Sequence, residues 1–256
     1  MIAGADGAVA ARLALAMLGL QFAIGTANDL ADTARDRIGH PWKPIPAGLV
    51  RTPAAQIVFT LCAVAGLALA ASVRVEALAV GAIGLADGLL YDLRLKGTPM
   101  SWLPFAAGVA LLPVFAWVGA TGGLPVVFFG IVPMALLAGA ILAATNALAD
   151  LDSDRAADTA SVATKLGRRR TLALNGLLLI ALQAIAGVTS VAAQTSFAWL
   201  LAELAGAALG GLGFWLARSP DEITARLAWE IQAVGILVTG VGWLAGLASV
   251  GLLSGR

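Results

Sequence analysis

The sequence predicts an all-α membrane protein: a polytopic bundle of about eight transmembrane helices in two parallel four-helix repeats. Three observations carry this. Of 256 residues, 60% are hydrophobic and only 12% are charged, with a mean hydropathy of +0.91, whereas a soluble globular domain is about 25% charged. The apolar residues fall into runs, most of them near the roughly 20 residues that cross a bilayer. Basic residues collect in alternate connections between those runs.

The runs are 8–31, 53–72, 75–91, 101–119, 125–149, 171–193, 197–217 and 228–252. Ahead of the first, MIAGADGAVA has no basic residue and carries Asp6. It reads as the lead into a span rather than a cleaved signal peptide. Thr52-Pro53 reads as an N-cap followed by proline at the first helical position. Val73 to Glu76 leaves almost no loop between the second and third runs. Gly119 to Gly123 with Pro125, and Arg218-Ser219-Pro220, are breakers. Trp102, Trp117, Trp199, Trp215 and Trp229 lie near run ends, where indole rings favour the interface. Cys62 is the single cysteine, so there is no disulfide framework and no cysteine-based metal site.

Charge sets the orientation. Of the 16 basic residues, Arg35, Arg37, Lys43, Arg51, Arg94, Lys96, Arg155, Lys165, Arg168, Arg169, Arg170, Arg218 and Arg226 lie in the odd-numbered connections. Arg12, Arg74 and Arg256 lie toward the other side. Short loops rich in Lys and Arg stay cytoplasmic, so the odd connections are expected there and both termini opposite. Net charge is only +1, and no nucleic-acid partner is expected.

The polar block NDLADTARDRIGHPWKPIPAG, Asn28 to Gly48, ends the first run. Asn28, Asp32 and Asp36 are spaced i, i+4, i+8, one face of a helix, and Asp29 falls beside them. Pro41, Pro44 and Pro46 stiffen the loop and aim Lys43. The pattern returns at Asn146, Asp150 and Asp154, with Asp158 a further four residues on. Asn28/Asn146, Asp32/Asp150, Asp36/Asp154 and Arg37/Arg155 share one offset of 118 residues, so both blocks read N-x-x-x-D-x-x-x-D-R. The chain is therefore expected to be one membrane domain, 1–256, with pseudo-repeats 8–119 and 125–252 related by an axis along the membrane normal. That symmetry would bring the two acidic ends to one cavity at the cytoplasmic face.

Carboxylates this close repel unless a cation sits among them, and oxygen-only donors suit Mg²⁺, which bridges carboxylates to substrate phosphates. Lys43, Arg94, Lys96, Lys165 and Arg168 to Arg170 share the same set of loops and could neutralise phosphate charge. The apolar interior beneath would take a hydrocarbon tail. A lipid diphosphate fits both halves.

These residues resemble the UbiA-type intramembrane prenyltransferases. The first block resembles that family's N-D-x-x-D-x-x-x-D with its [KR]-P-[IL]-P-x-G loop, and Asp150 and Asp154 its second D-x-x-x-D. SVATKLG is similar to the family's [ST]-x-x-x-x-x-G tail at Ser161 and Gly167, and YDLRLK, Tyr91 to Lys96, to a third segment. The resemblance implies Mg²⁺-dependent transfer of a prenyl group from a prenyl diphosphate to an aromatic or other lipophilic acceptor in the membrane. By it, Asn28, Asp32, Asp36, Asn146, Asp150 and Asp154 form the metal site, with the four aspartates essential to catalysis. The resemblance also implies that Lys43, Arg94 and Lys96 would bind diphosphate and that Tyr91 would lie near the reactive end of the donor; Lys165, in the same set of loops, is expected to bind substrate with them. The enzyme would be an integral, multi-pass protein of the cell (inner) membrane. Asp158 stands where the family commonly has glycine. That family usually has nine spanning helices, one before the N-D-x-x-D helix, and by that comparison this chain lacks the first.

Parallel repeats bearing carboxylates would also suit a cation-coupled transporter, but here they cluster at one membrane face. The D-x-x-D-G-x-x-A-R signature of CDP-alcohol phosphotransferases is absent. His40, beside Pro41, reads as structural. Asp87, one turn before Tyr91, is placed with the pocket, and Glu203 near the opposite face has no role legible in sequence.

Overall fold

An apolar run in lipid can satisfy its own peptide groups only as a helix or within a closed barrel. The computed structural model describes residues 5–156 and 158–253, and these contain helices and no strand. Arg256, assigned above to the far side, lies outside them. The helices are α1 (Gly7–Gly39), α2 (Thr52–Val73), α3 (Val75–Leu90), α4 (Trp102–Thr121), α5 (Phe128–Ala149), α6 (Leu151–Ala156), α7 (Val162–Leu166), α8 (Arg168–Ala192), α9 (Phe197–Leu216) and α10 (Glu222–Ser249). A π-helical turn, Tyr91–Leu95, extends α3 without a break. Among the described residues, seven helices are long and apolar enough to cross a membrane: α1, α2, α4, α5, α8, α9 and α10. The remaining run, 75–91, is α3, whose 16 residues fall short alone and continue through the five of the π turn. The protein is an integral, multi-pass membrane protein.

Two compact units divide the chain. One holds the chain up to Lys96 together with Leu111–Leu124; the other holds Gly97–Ala110 and the chain from Pro125 onward. Helix α4 contributes a part to each.

In the first unit, Asp6 caps α1 by accepting from the Val9 amide at 2.8 Å. Its 33 residues extend about 50 Å at 1.5 Å per residue, well beyond a hydrocarbon core of about 30 Å. The surplus is long enough to carry Asp29 to Asp36 out of the apolar layer. We expected the run to end near residue 31; the helix instead continues to Gly39, and the His40 amide still donates to Asp36 O before Pro41 stops it. Helices α1 and α2 meet along small residues. A Cβ on Gly66 would lie 3.0 Å from Ala16 O, a backbone approach that only small side chains allow. Leu13, Ala16, Ala70, Ala77 and Phe115 form the buried cluster. Arg74 alone separates α2 from α3, and its guanidinium donates to Gly119 O at 3.0 Å, favourable to the carbonyl end of α4. At the start of α2 the N-cap is Arg51, not Thr52, and no side chain caps it. Pro53 still falls in the first turn, where a missing N–H costs no helical bond.

The second unit is tied by polar groups inside an apolar bundle. Asn175 of α8 donates to Ile141 O at 2.9 Å and to Thr145 Oγ1 at 2.8 Å on α5, while Gln232 of α10 donates back to Asn175 Oδ1 at 3.1 Å. Further along the α8–α10 seam, Gln183 meets Thr239 and the Trp243 indole donates to Thr189 Oγ1. Ser190 donates to Glu203 Oε1 at 2.5 Å, so Glu203 joins α9 to α8. Such interhelical bonds average about 0.6 kcal/mol each, and they set helix register more than they add stability. Helices α9 and α10 approach closely at Gly206, Gly213 and Gly235.

Candidate functional site

In the first unit the acidic end of α1 is closed by lysines from two directions. Asp32 and Asp36 are buried, 8% and 3% exposed. Within the proline loop, the Lys43 amide donates to His40 O at 3.1 Å and its carbonyl accepts from Ala47 at 2.9 Å. Gly48, at φ +74, lets the chain turn away. Held on both sides, Lys43 sends its ammonium back to Asp36 Oδ2 at 2.8 Å and Asp29 Oδ1 at 3.2 Å. Burial pulls the Lys43 pKa down, but the bonds to Asp36 and Asp29 outweigh it and hold it above the ordinary lysine value. His40 Nδ1 lies 3.3 Å from Asp36 Oδ1, and its ring packs edge-on against the exposed Trp42 at 5.2 Å.

The second closure comes from the π turn, whose wider ring is closed by Lys96 N donating to Tyr91 O at 2.7 Å. Lys96 pairs with Asp32, and its Nζ sits 6.0 Å from the centroid of the Tyr91 ring, within cation–π range. One turn earlier, Asn28 Nδ2 donates to Asp92 Oδ1 at 2.7 Å. Arg35 lies 3.7 Å from Asp32, and Arg94 is exposed. Asp87 is half-buried one turn before Tyr91, whose amide donates to its carbonyl.

In the second unit the α5 helix ends at Ala149, Asp150 sits at its C-cap, and α6 restarts at Leu151. The row survives because hydrogen bonds span the break: the Asp150 amide donates to Asn146 O and the Asp154 amide to Asp150 O, at 3.0 and 2.8 Å. Asn146 Nδ2 donates to Asp150 Oδ2 at 3.2 Å. Asp158 leaves the row, with φ +49. Left-handed backbone favours glycine and tolerates aspartate, which gives a physical reason for glycine being common there. Ser161 caps α7 in a reciprocal box with Thr164, and Gly167 turns at φ +78. Lys165 is exposed on α7. Arg168 is engaged elsewhere: its guanidinium donates to Ala217 O at 3.1 Å and to Ser219 O, closing the carbonyl end of α9.

Among the described residues, no three His, Cys, Asp or Glu side chains converge closely enough to hold a metal ion by themselves. The donors nonetheless fit a hard cation: carboxylate and amide oxygens only, with Lys43 and Lys96 holding the charge of Asp36 and Asp32. Sequence reasoning passed over Asp92. Its signal was there, an acid four residues before Lys96 and directly after Tyr91.

A multi-pass helical membrane protein with two N-x-x-x-D-x-x-x-D-R helix ends, one closed by lysines, is a protein built to manage dense negative charge beside an apolar interior. The chain belongs to the UbiA prenyltransferase family, whose model matches residues 3–236. It is similar to the digeranylgeranylglyceryl phosphate synthase of Halobacterium salinarum, 33% identical over 164 residues, which cover 60% of this chain. The chain spans about half, 55%, of that relative's length. The synthase of the same name from Methanopyrus kandleri is 28% identical over 254 residues, covering 98% of this chain and 91% of that one. A UbiA homologue from Archaeoglobus fulgidus, solved bound to GPP and Mg²⁺, shares the fold with a TM-score of 0.72. It is 17% identical, with 95% of this chain and 90% of that chain covered.

Proposed function

We propose that this protein transfers a prenyl group from a prenyl diphosphate to a lipophilic acceptor within the membrane, with Mg²⁺ as cofactor. The observation that carries this is the doubled N-x-x-x-D-x-x-x-D-R row, one copy buried at the end of a membrane-length helix and paired to Lys43 and Lys96. Family membership, and the GPP and Mg²⁺ in the Archaeoglobus fulgidus homologue, support a transferase over a cation-coupled transporter. The names of the relatives make geranylgeranylglyceryl phosphate the first acceptor to test.

Asn28, Asp32, Asp36, Asn146, Asp150 and Asp154 would be the residues that hold metal. Held by these residues, Mg²⁺ would supply positive charge to stabilise the leaving diphosphate. With the carboxylates so engaged, Lys43 and Lys96 are free to turn their ammoniums to phosphate oxygens, and Arg94 and Lys165 add charge at the rim. The bond from the allylic carbon to the diphosphate oxygen breaks, and its electron pair leaves with the diphosphate. The Tyr91 ring faces the positive allylic carbon, while the apolar helices keep water away until the acceptor oxygen or ring carbon bonds to it and releases its proton. The basic residues in the loops support a site at the cytoplasmic face of the cell membrane.

The test is membranes carrying the full chain, radiolabelled geranylgeranyl diphosphate and a panel of glyceryl phosphate and aromatic acceptors, with Mg²⁺ or EDTA. Mg²⁺-dependent labelled lipid supports the reading; labelling that survives EDTA refutes it.

A further inference from the structure

Two hydrogen-bonded rungs join the acidic end of α1 to the π turn. Asp32 pairs with Lys96, and four residues earlier on each element Asn28 pairs with Asp92. The first rung involves charges already assigned to the site. In the second, Asn28 is a proposed ligand but Asp92 has no role so far, although it is only 9% exposed and its second oxygen, Oδ2, is buried without a hydrogen-bond partner. Leaving a carboxylate oxygen in that state is costly, and polar networks kept at a cost are commonly functional. A π-helical turn is itself a frequent mark of functional sites.

An asparagine amide has a chemical direction. Only its Oδ1 can ligate a cation, and only its Nδ2 can donate to a carboxylate. The 2.7 Å bond to Asp92 Oδ1 therefore fixes the Asn28 flip, because reversing it would set two acceptors against each other. With Nδ2 committed to Asp92, Oδ1 is the atom of Asn28 left to meet a cation, one turn from Asp32 on the same face of α1. We propose that Asp92 is a positioning residue: it locks the Asn28 amide so that its carbonyl oxygen is presented to the divalent cation, without being a ligand itself. This rests on the cation site of the proposed function. Residues that orient metal ligands typically change affinity 10–100-fold when removed.

The experiment uses the purified full chain in detergent and Mn²⁺ alone as the probe, with free Mn²⁺ read by electron paramagnetic resonance. Asp92→Leu, which cannot accept a hydrogen bond, is expected to weaken Mn²⁺ binding roughly 10–100-fold. Asp92→Asn is expected to stay near wild type, because its Oδ1 still accepts from Asn28. Should Asp92→Leu not fold, Asp92→Ser, polar but too short to reach, carries the same expectation. Leu or Ser binding Mn²⁺ as wild type does overturns the inference, and so does an Asn variant as weak as those, since charge rather than orientation would then be at work. Asp32→Asn is the control for the underlying reading. If it binds like wild type, or wild type binds no Mn²⁺, the cation site itself is wrong; if only the Asp92 series departs, the cation site stands and the positioning role alone fails.

Discussion

Lys43→Met keeps the aliphatic stem and removes one ammonium from between two carboxylates. In the native contact Nζ lies 2.8 Å from Asp36 Oδ2 and 3.2 Å from Asp29 Oδ1, with the Asp36 side chain only 4% exposed. Without it, the cationic partner left to Asp36 among the described residues is His40 at 3.3 Å, with Asp32 one turn away. Breaking a fully buried pair costs about 3–5 kcal/mol, while exposed pairs are worth about 0–1. Lys43 is 31% exposed, so we take an intermediate loss of roughly 1–3 kcal/mol for the metal-free protein. At about 2–4 °C per kcal/mol for a chain of this size, thermal unfolding in EDTA should fall by several degrees. A divalent cation can replace the lost charge, so Mg²⁺ should raise the variant's Tm more than the wild type's. The same contact has a defined pH signature. Its pKa is raised in the folded state, so its contribution is complete below 10.5, the ordinary lysine value, and is lost only as pH climbs through the higher folded value. Lys43→Met and wild type should thus differ by a constant amount across neutral pH. Equal Tm values in EDTA, or an equal Mg²⁺ increment in both proteins, would refute the view that Lys43 balances this site's charge.

Three further outcomes are expected. Asp32→Asn and Asp150→Asn should each abolish prenyl transfer while expressing and inserting normally, and near-normal turnover of both at saturating donor would sink the metal assignment. Reporter fusions at Gly48 and Gly167 should behave as cytoplasmic and one at Gly122 as external; an external signal at Gly48 would reverse the orientation. Gly139→Val should destabilise the second unit by about 1–3 kcal/mol or more, because a Cβ there would lie 2.5 Å from Ala106 Cα. Gly187→Ala, with open space around it, should leave Tm unchanged or slightly raised, and equal behaviour of the two in a fluorescence-detected melt would contradict the packing.

The sequence by itself determined that the chain is a multi-pass helical bundle, because lipid leaves few ways to satisfy a backbone and apolar length is read one residue at a time. It also determined which residues make the two acidic rows, since i+4 spacing is a local property of a helix. Even the short turn at Arg74 and the stiff loop around Lys43 were visible as proline, glycine and charge. Only the tertiary structure decided what those rows touch. Asn28 meets Asp92 and Asp32 meets Lys96 across 64 residues of chain, and such contacts depend on how α1 and α3 are rotated against each other. That rotation is set by side-chain packing, at Leu20 against Gly81 and at Ile24 against Gly88, which no local spacing encodes. The i+4 spacing already carried the helix past residue 31, but that Lys43 and Lys96 close on Asp36 and Asp32 was decided by the fold. Glu203, without a role in sequence, gained Ser190 as a partner only once α8 lay beside α9.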